Sequence, residues 1–308
     1  MKTVSVIIPT RGRDRCLRNT LEDLSRQSFK DFDVWVVDQN TAPLKDLGHH
    51  LGSVKLRHIP MEPLGSHAGR NKAIFATDSE LCVFVDDDVR LKPEFLYLHV
   101  SKHRSLASDK IAVVCGRVVQ PKDGYSEEKM QRIGQLARYS RYFGLVSGNF
   151  VGRMSGHIDH LHECNFSAKT DVLKEVGGFN EEFRGNAYFE GAELALRIKS
   201  AGYGLIYDGS IEVLHLQEGS GGNREKDKAK HTYWFMRNYS LLNSGFMLRP
   251  MIPFFEIYNI TYVFAKALKN RNVSIAVEGL RGLKDGFRFF SPSAIRYRRT
   301  SEGSNDRS

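Results

Sequence analysis

The chain has 308 residues, 41% of them hydrophobic, and a formal net charge of +9 from 45 basic and 36 acidic side chains. That length and apolar content exclude a largely disordered chain and allow one large domain or two small ones. Cys16, Cys82, Cys115 and Cys164 form no Cys-x-x-Cys pair, which argues against a zinc ribbon or a disulfide scaffold and fits a reducing compartment.

The charge is local. From Lys230 onward there are thirteen basic and five acidic residues, a net +8, so the first three quarters of the chain are nearly neutral. A nucleic-acid partner is therefore not expected. At the N-terminus the run Val4 to Ile8 is too short for a secretory h-region of about 7–15 residues. The stretch Met251 to Ala265 carries Glu256, Asn259 and Thr261 and falls short of the roughly 20 apolar residues that span a bilayer. The expectation is a cytoplasmic protein, peripheral on the inner face of the cell membrane.

In chain order, residues 4–8 read as a buried strand ended by Pro9, and Leu17, Leu21 and Leu24 mark one face of a helix over 14–27. A second strand runs from Val34 to Val37 and ends at Asp38. Residues 54–59 alternate as a third. A helix over 68–77 follows the turn at Gly65. Leu81 to Val85 is a strand that runs into Asp86-Asp87-Asp88. Strands alternating with helices predict a mixed, mostly parallel α/β sheet, which binds ligands beyond the carboxyl ends of its strands.

Beyond Pro93 a helix near 93–106 and a strand near 111–119 are expected, then a long loop region with some helix over 120–160. Helices at 171–177 and 191–201 close at Gly177 and Gly202. Two short strands follow at 204–207 and 211–214. The pattern from Lys228 to Phe290 is helical with breaks at Pro250 and Pro253, and the tail 291–308 is polar.

Three adjacent carboxylates at a strand end repel one another and need a cation or water. Their hard oxygens suit Mn²⁺ or Mg²⁺. On an extended chain Asp86 and Asp88 share one side and Asp87 faces the other. The alternative is a solvated acidic turn.

The segments VSVIIPTRGR, VWVVDQN, GRNKA, VFVDDDV and FEGAELALRIKSAGY, in this order and spacing, resemble the family 2 glycosyltransferases and their GT-A fold over about residues 3–240. The resemblance implies a metal-dependent inverting transferase that moves a sugar from a nucleotide-diphosphate donor to a hydroxyl of a glycan or lipid-linked acceptor, in bacterial-type surface polysaccharide assembly. By resemblance Asp88 is the direct metal ligand, with His215 a further one. Asp86 or Asp87 would contact the ribose or donor sugar. Pro9, Thr10 and Arg11 would line the nucleotide, Asp38 would accept from its base, and Arg70 and Asn71 would lie beside it. Glu163 and Asn165 would meet sugar hydroxyls. Gly221, Gly222 and Arg224 would form a lid over the donor.

The family often has Glu-Asp where this chain has Glu190-Gly191, and its base is commonly that Asp. Glu190, at a helix start, is the candidate base here. Glu193 is second, because Arg197 at i+4 makes a structural ion pair its plain alternative. The division expected is a GT-A catalytic domain over 1–220 and a lid loop with a basic amphipathic helical extension over 221–308.

In that extension, 273–290 carries an apolar stripe through Ile275, Val277, Leu280, Leu283 and Phe287 beside Arg281, Lys284 and Arg288. This is the pattern of a helix lying on an anionic membrane, or of one packed on the catalytic domain. Two other functions compete: a sugar-phosphate nucleotidyltransferase, whose Gly-rich, Lys-containing loop is missing, and a non-catalytic membrane-binding module.

Overall fold

The computed structural model describes residues 3–106, 110–120, 136–217, 221 and 225–288. The chain divides into two compact units. One holds residues up to Ser140 together with Leu145–Glu225, and the other holds Arg141–Gly144 together with the chain from Lys226. A four-residue piece from the middle of the chain thus groups with the second unit.

The first unit is built on a nine-stranded sheet. Its strands are β1 (Val4–Thr10), β2 (Phe32–Asp38), β3 (Lys55–Pro60), β4 (Leu81–Val85), β5 (Val89–Leu91), β6 (Ile111–Val119), β9 (Ser155–His157), β10 (Asn165–Lys169) and β11 (Gly204–His215). β7 (Arg138–Ser140) and β8 (Leu145–Ser147) form a separate hairpin pair. The sheet order is β3-β2-β1-β4-β10-β6-β11-β5, with β9 added beside β11. β3, β2, β1 and β4 are parallel, as are β6 and β11, while β10, β5 and β9 run against them. The mixed, mostly parallel sheet is the one expected.

Every residue of β1, β2 and β4 is buried, as parallel strands covered on both faces require. The helices of this unit are α1 (Asp14–Ser25), α2 (Ser66–Ala76), α3 (Phe95–Ser105), α4 (Thr170–Glu175) and α5 (Glu190–Ser200). α1 buries the predicted Leu17, Leu21 and Leu24. Between sheet and helices Phe84 stacks on Phe166 at 4.3 Å, and Phe179 meets Phe84 edge-on at 5.9 Å. Each such ring contributes about 1.5–3 kcal/mol of burial.

Residues 136–160 contain short strands, and residues 121–135, where the expected helix could fall, lie outside the described residues. Two local expectations change. The strands expected at 204–207 and 211–214 are one long β11, whose register slips between Asp208 and Glu212, so a bulge replaces the expected gap. β5 was not anticipated; its three residues give too short a pattern to read.

The second unit contains α6 (Lys228–Phe246), α7 (Ile252–Lys269) and α8 (Val273–Arg288). Pro250 falls in the break after α6. Pro253 falls in the first turn of α7, where a missing N–H costs nothing, and it does not break the helix. The second break instead falls at Arg271, in left-handed conformation with φ 51°.

Most of the α8 stripe is not free, although Val277 is exposed. Ile275 is fully buried and Leu283 nearly so, and both share a core with Met236 and Val263. Gly279, Gly282 and Gly286 let α8 press on its neighbours. A Cβ at 282 would overlap the carbonyl oxygen of Tyr233, and one at 286 that of Arg237. Of the two alternatives for 273–290, the described residues favour the packed helix, here against α6 and α7 of its own unit: glycines that weaken an isolated helix serve as its contact surface. The tail 291–308 lies outside the described residues.

Candidate active site

The carboxyl ends of β1, β2 and β4 meet at one edge of the sheet. Parallel pairing puts Thr10 opposite Asp38 and Ile7 opposite Phe84, so Asp86–Asp88 emerge beside both ends. α1 fixes the turn they form, because Thr20 Oγ1 donates to the carbonyl oxygens of Asp87 (3.0 Å) and Val89 (2.9 Å). The last residue of β11, His215, pairs with Val89 and so arrives next to Asp88.

Ligand atoms of Asp86, Asp88 and His215 all lie within 4.8 Å of one another. His215 Nε2 is 3.1 Å from Asp88 Oδ1 and 3.9 Å from Asp86 Oδ2. Burial works against a charge on His215, but its hydrogen bond to Asp88 and the two nearby carboxylates raise its pKa. Two carboxylate oxygens and one imidazole nitrogen form a donor set that fits a Mn²⁺- or Mg²⁺-type ion.

Asp87 points the other way, as alternation predicts. It accepts from Thr10 Oγ1 (2.7 Å) and from Arg13 Nη1 (3.0 Å), and only 3% of it is exposed. Burial pushes its carboxyl up to about 6 despite Arg13. Arg13 also reaches Asp88 Oδ2 at 3.1 Å, so one guanidinium ties two of the three aspartates together.

Behind this cluster lies a second charged layer. Arg70, on α2, is buried, with Nη2 3.2 Å from Asp86 Oδ1 and Nη1 2.6 Å from Glu190 Oε1. Glu190 opens α5 after Phe189, which takes a left-handed turn (φ 70°). Glu190 is only 3% exposed, and its Oε2 is 3.2 Å from His67 Nδ1. Glu163 lies alongside with more exposure, and its Oε1 accepts from the N–H of Gly191 at 2.9 Å. Burial and the charge of Glu190 push Glu163 up to about 7, although Arg70 opposes them.

Other candidates sit in tighter bonding. Asp38 accepts from Asn40 N and Nδ2, from Leu44 N, and from His58 Nε2, which fills the four acceptor sites of a carboxylate. Burial notwithstanding, these bonds hold it below the usual carboxylate range. It shapes the 39–44 loop, and a base N–H would have to displace one of these partners.

Asn71 bonds both ways with the backbone of Phe179 and so anchors the GGF turn. Asn165 is fully buried; its Nδ2 donates to the Arg117 and Ile211 carbonyls and its Oδ1 bonds His99. Glu193 forms a bidentate pair with Arg197, with both bonds at 2.7 Å, in the arrangement its i, i+4 spacing allowed. Asn165 and Glu193 thus have their polar atoms engaged inside the fold.

Pro9 and Thr10 close β1, and Arg11 is exposed just beyond. Gly221 (φ 78°) lies against this loop, where a Cβ would come 2.7 Å from the Arg11 carbonyl oxygen. Gly222 and Arg224 lie outside the described residues.

Sequence reasoning did not single out Arg13, His67 or His162. Arg13 and His67 reach their carboxylate partners through tertiary contact alone, and no local pattern marked them. His162 Nδ1 is 3.3 Å from Cys164 Sγ, a histidine partner the sequence could not assign. Burial and nearby carboxylates nevertheless raise the Cys164 thiol well above its usual range, which makes it an inert core residue.

Residues 5–175 match the family model described as glycosyl transferase family 2. Over 219 residues the chain is 26% identical to validoxylamine A glucosyltransferase of Streptomyces hygroscopicus subsp. limoneus, covering 65% of this chain and 48% of that protein. Over 196 residues it is 24% identical to GalNAc(5)-diNAcBac-PP-undecaprenol beta-1,3-glucosyltransferase of Campylobacter jejuni subsp. jejuni serotype O:2, covering 60% of this chain and 57% of that one. Among solved structures, the mannosyltransferase PcManGT from Pyrobaculum calidifontis in complex with GDP-Man and Mn²⁺ superposes with a TM-score of 0.53 at 16% identity, over 96% of this chain and 78% of that one. That likeness shows the shared GT-A fold. The chain spans between 25% and 57% of the length of the curated relatives it matches. A family model matching more than half of the chain, on a sheet of this fold, is decisive: the chain belongs to glycosyl transferase family 2.

Proposed function

We propose that this protein transfers a sugar, with inversion, from a nucleotide-diphosphate donor to a hydroxyl of a glycan or lipid-linked acceptor, in the assembly of a surface polysaccharide. The observation that carries the reading is the convergence of Asp86, Asp88 and His215 within 4.8 Å at the carboxyl ends of the sheet. These three residues would hold Mn²⁺ or Mg²⁺, which when bound offsets the charge that develops on a diphosphate leaving group.

The chain's own residues supply the rest. Arg13 holds Asp87 and Asp88 in place, and Arg11 offers an exposed cation at the mouth of the site. Pro9, Thr10 and the loop braced by Asp38 line the nucleotide. Arg70 sets the orientation of Asp86 toward the ribose or donor sugar. An acceptor hydroxyl must lose its proton as the new bond forms, and Glu163 and Glu190 are the carboxylates beside the cluster. Gly221 lies against the Pro9–Arg11 loop, at the edge of the nucleotide's place. The relatives named as glucosyltransferases make glucose the first donor sugar to test.

A lipid-linked acceptor needs a docking face, and α7 supplies one. Only Phe255, Asn259, Val263 and Ala267 of this helix are buried, while Phe254, Ile257, Tyr258 and Leu268 are each more than 60% exposed. Arg249 precedes this helix and Lys266, Lys269 and Arg271 lie in or just past its last turn, and a basic residue near an anionic lipid surface contributes about 1 kcal/mol. Among the described residues no helix is long and apolar enough to cross a membrane, so the reading is of a helix lying in the interface.

The test is donor turnover. The protein is incubated with Mn²⁺ or Mg²⁺ and UDP-, GDP- or dTDP-sugars, and release of nucleoside diphosphate is measured. Metal-dependent release from one donor, lowered at least about 100-fold in Asp88→Asn, is the expected result. Release that persists unchanged in excess chelator and in Asp88→Asn would defeat the reading.

A further inference from the structure

Two carboxylates, Glu163 and Glu190, share one guanidinium. Glu190 has taken it: Arg70 Nη1 donates to its Oε1 at 2.6 Å, and Ser66 Oγ donates to the same atom at 3.3 Å. Its 3% exposure leaves almost no surface for an incoming hydroxyl. Glu163 makes no ion pair within 4.0 Å among the described residues, keeps accessible surface, and accepts from the Gly191 N–H.

That bond shows why the carboxylate fits there. Position 191 lies in the first turn of α5 and has no side chain. A Cβ built on it would overlap Glu163 Oε1 and stand 2.8 Å from Glu163 Cδ. The Glu163 carboxylate thus fills the space that a side chain at 191 would take. It lies against the N-terminal turn of α5, the positive end of the helix dipole, which favours negative charge.

We propose that Glu163, and not Glu190, accepts the proton of the attacking hydroxyl, and that Glu190 with Arg70 and His67 is a positioning group. The inference rests on the transfer reading above. In the step, the acceptor O–H proton moves to the Glu163 carboxylate and the oxygen's electron pair forms the bond to the anomeric carbon. The bond from that carbon to the diphosphate oxygen breaks, and its electron pair leaves with the nucleoside diphosphate. Glu163 then gives its proton to water. A raised proton affinity near neutrality, caused by burial and by the charge of Glu190, suits a group that must take a proton and lose it again.

The experiment uses the full chain, the donor that wild type hydrolyses, and azide as a nucleophile that carries no proton to remove. Glu163→Gln keeps an oxygen to accept from Gly191, so a purely structural role survives the change. The expected result is a loss of about 10²–10⁴-fold in hydrolysis, with nucleotide affinity unchanged and with azide restoring release of nucleoside diphosphate. Adding Gly191→Asp to Glu163→Gly is expected to recover most of the hydrolysis lost in Glu163→Gly alone, by returning a carboxylate to the same space. The Cδ1 of Leu161, 2.7 Å from the new Cβ, is the end of a flexible side chain and can yield.

Full hydrolysis in Glu163→Gln overturns the inference, as does azide rescuing Glu190→Gln but not Glu163→Gln; both leave the transfer reading intact. A wild-type protein inert toward every donor overturns the transfer reading itself, and this inference with it.

Discussion

The two units break the usual rule of burial in opposite directions. The sheet unit buries charge: Asp38, Asp87, Asp88, Arg70 and Glu190 are each no more than 3% exposed. The helical unit exposes apolar surface, with Phe254, Ile257, Tyr258 and Leu268 of α7 turned outward. Buried charge is costly unless it is paired, and a broad exposed apolar face is a liability unless something covers it. Neither feature would persist for stability alone. The first fits an electrostatic site held ready for a charged ligand, and the second fits a surface that meets a lipid.

Four changes would break or sharpen this contrast. The largest effect on stability is expected from Arg70→Met, which strands Glu190 as a buried charge. A loss of about 3–5 kcal/mol in urea unfolding is expected, partly recovered when Glu190→Gln is added. No coupling between the two would mean the charges are not interdependent.

Acid comes next. Burial lowers His99 to about 3 and His103 to about 4. The unfolded chain takes up these protons below about 6.5 and the folded one does not, so stability falls as pH drops from about 6.5 toward 4 and 3. At pH 5 each histidine costs about 2 kcal/mol. A thermal midpoint that is unchanged between pH 7.5 and 5 would contradict this.

In the helical unit, Gly282→Ala should cost about 1–3 kcal/mol, because the new methyl meets the Tyr233 carbonyl where α8 presses on α6. A neutral result would mean that α8 is loosely held and that its stripe is free after all. The smallest effect on stability is expected from changing Phe254, Ile257 and Leu268 to Ser, within about 0.5 kcal/mol per site. The same triple variant should lose binding to anionic vesicles in flotation. Unchanged flotation would leave α7 an exposed face with no lipid role.

The contrast also marks how far sequence reading reached. The three aspartates were legible because they follow the apolar strand β4, while His215, at the end of β11, was marked as a ligand by the family resemblance. The Glu193–Arg197 pair was legible because helix geometry fixes i and i+4 neighbours. Whether α8 lies on a membrane or packs stayed open in the sequence because periodicity reports that a stripe exists, not what covers it. Glycines at 279, 282 and 286 read as helix weakness, yet they are the surface by which α8 packs.

By itself, then, the sequence determined the elements, the fold class and the strand-end carboxylates, since these follow from local period and from residue chemistry along one segment. Only the tertiary structure decided how the charges are shared. Arg13 divides between Asp87 and Asp88, Arg70 goes to Glu190, and Glu163 settles beside a glycine 28 residues away. These choices depend on which segments the sheet brings together, and pairing between distant segments leaves no periodic trace in the chain.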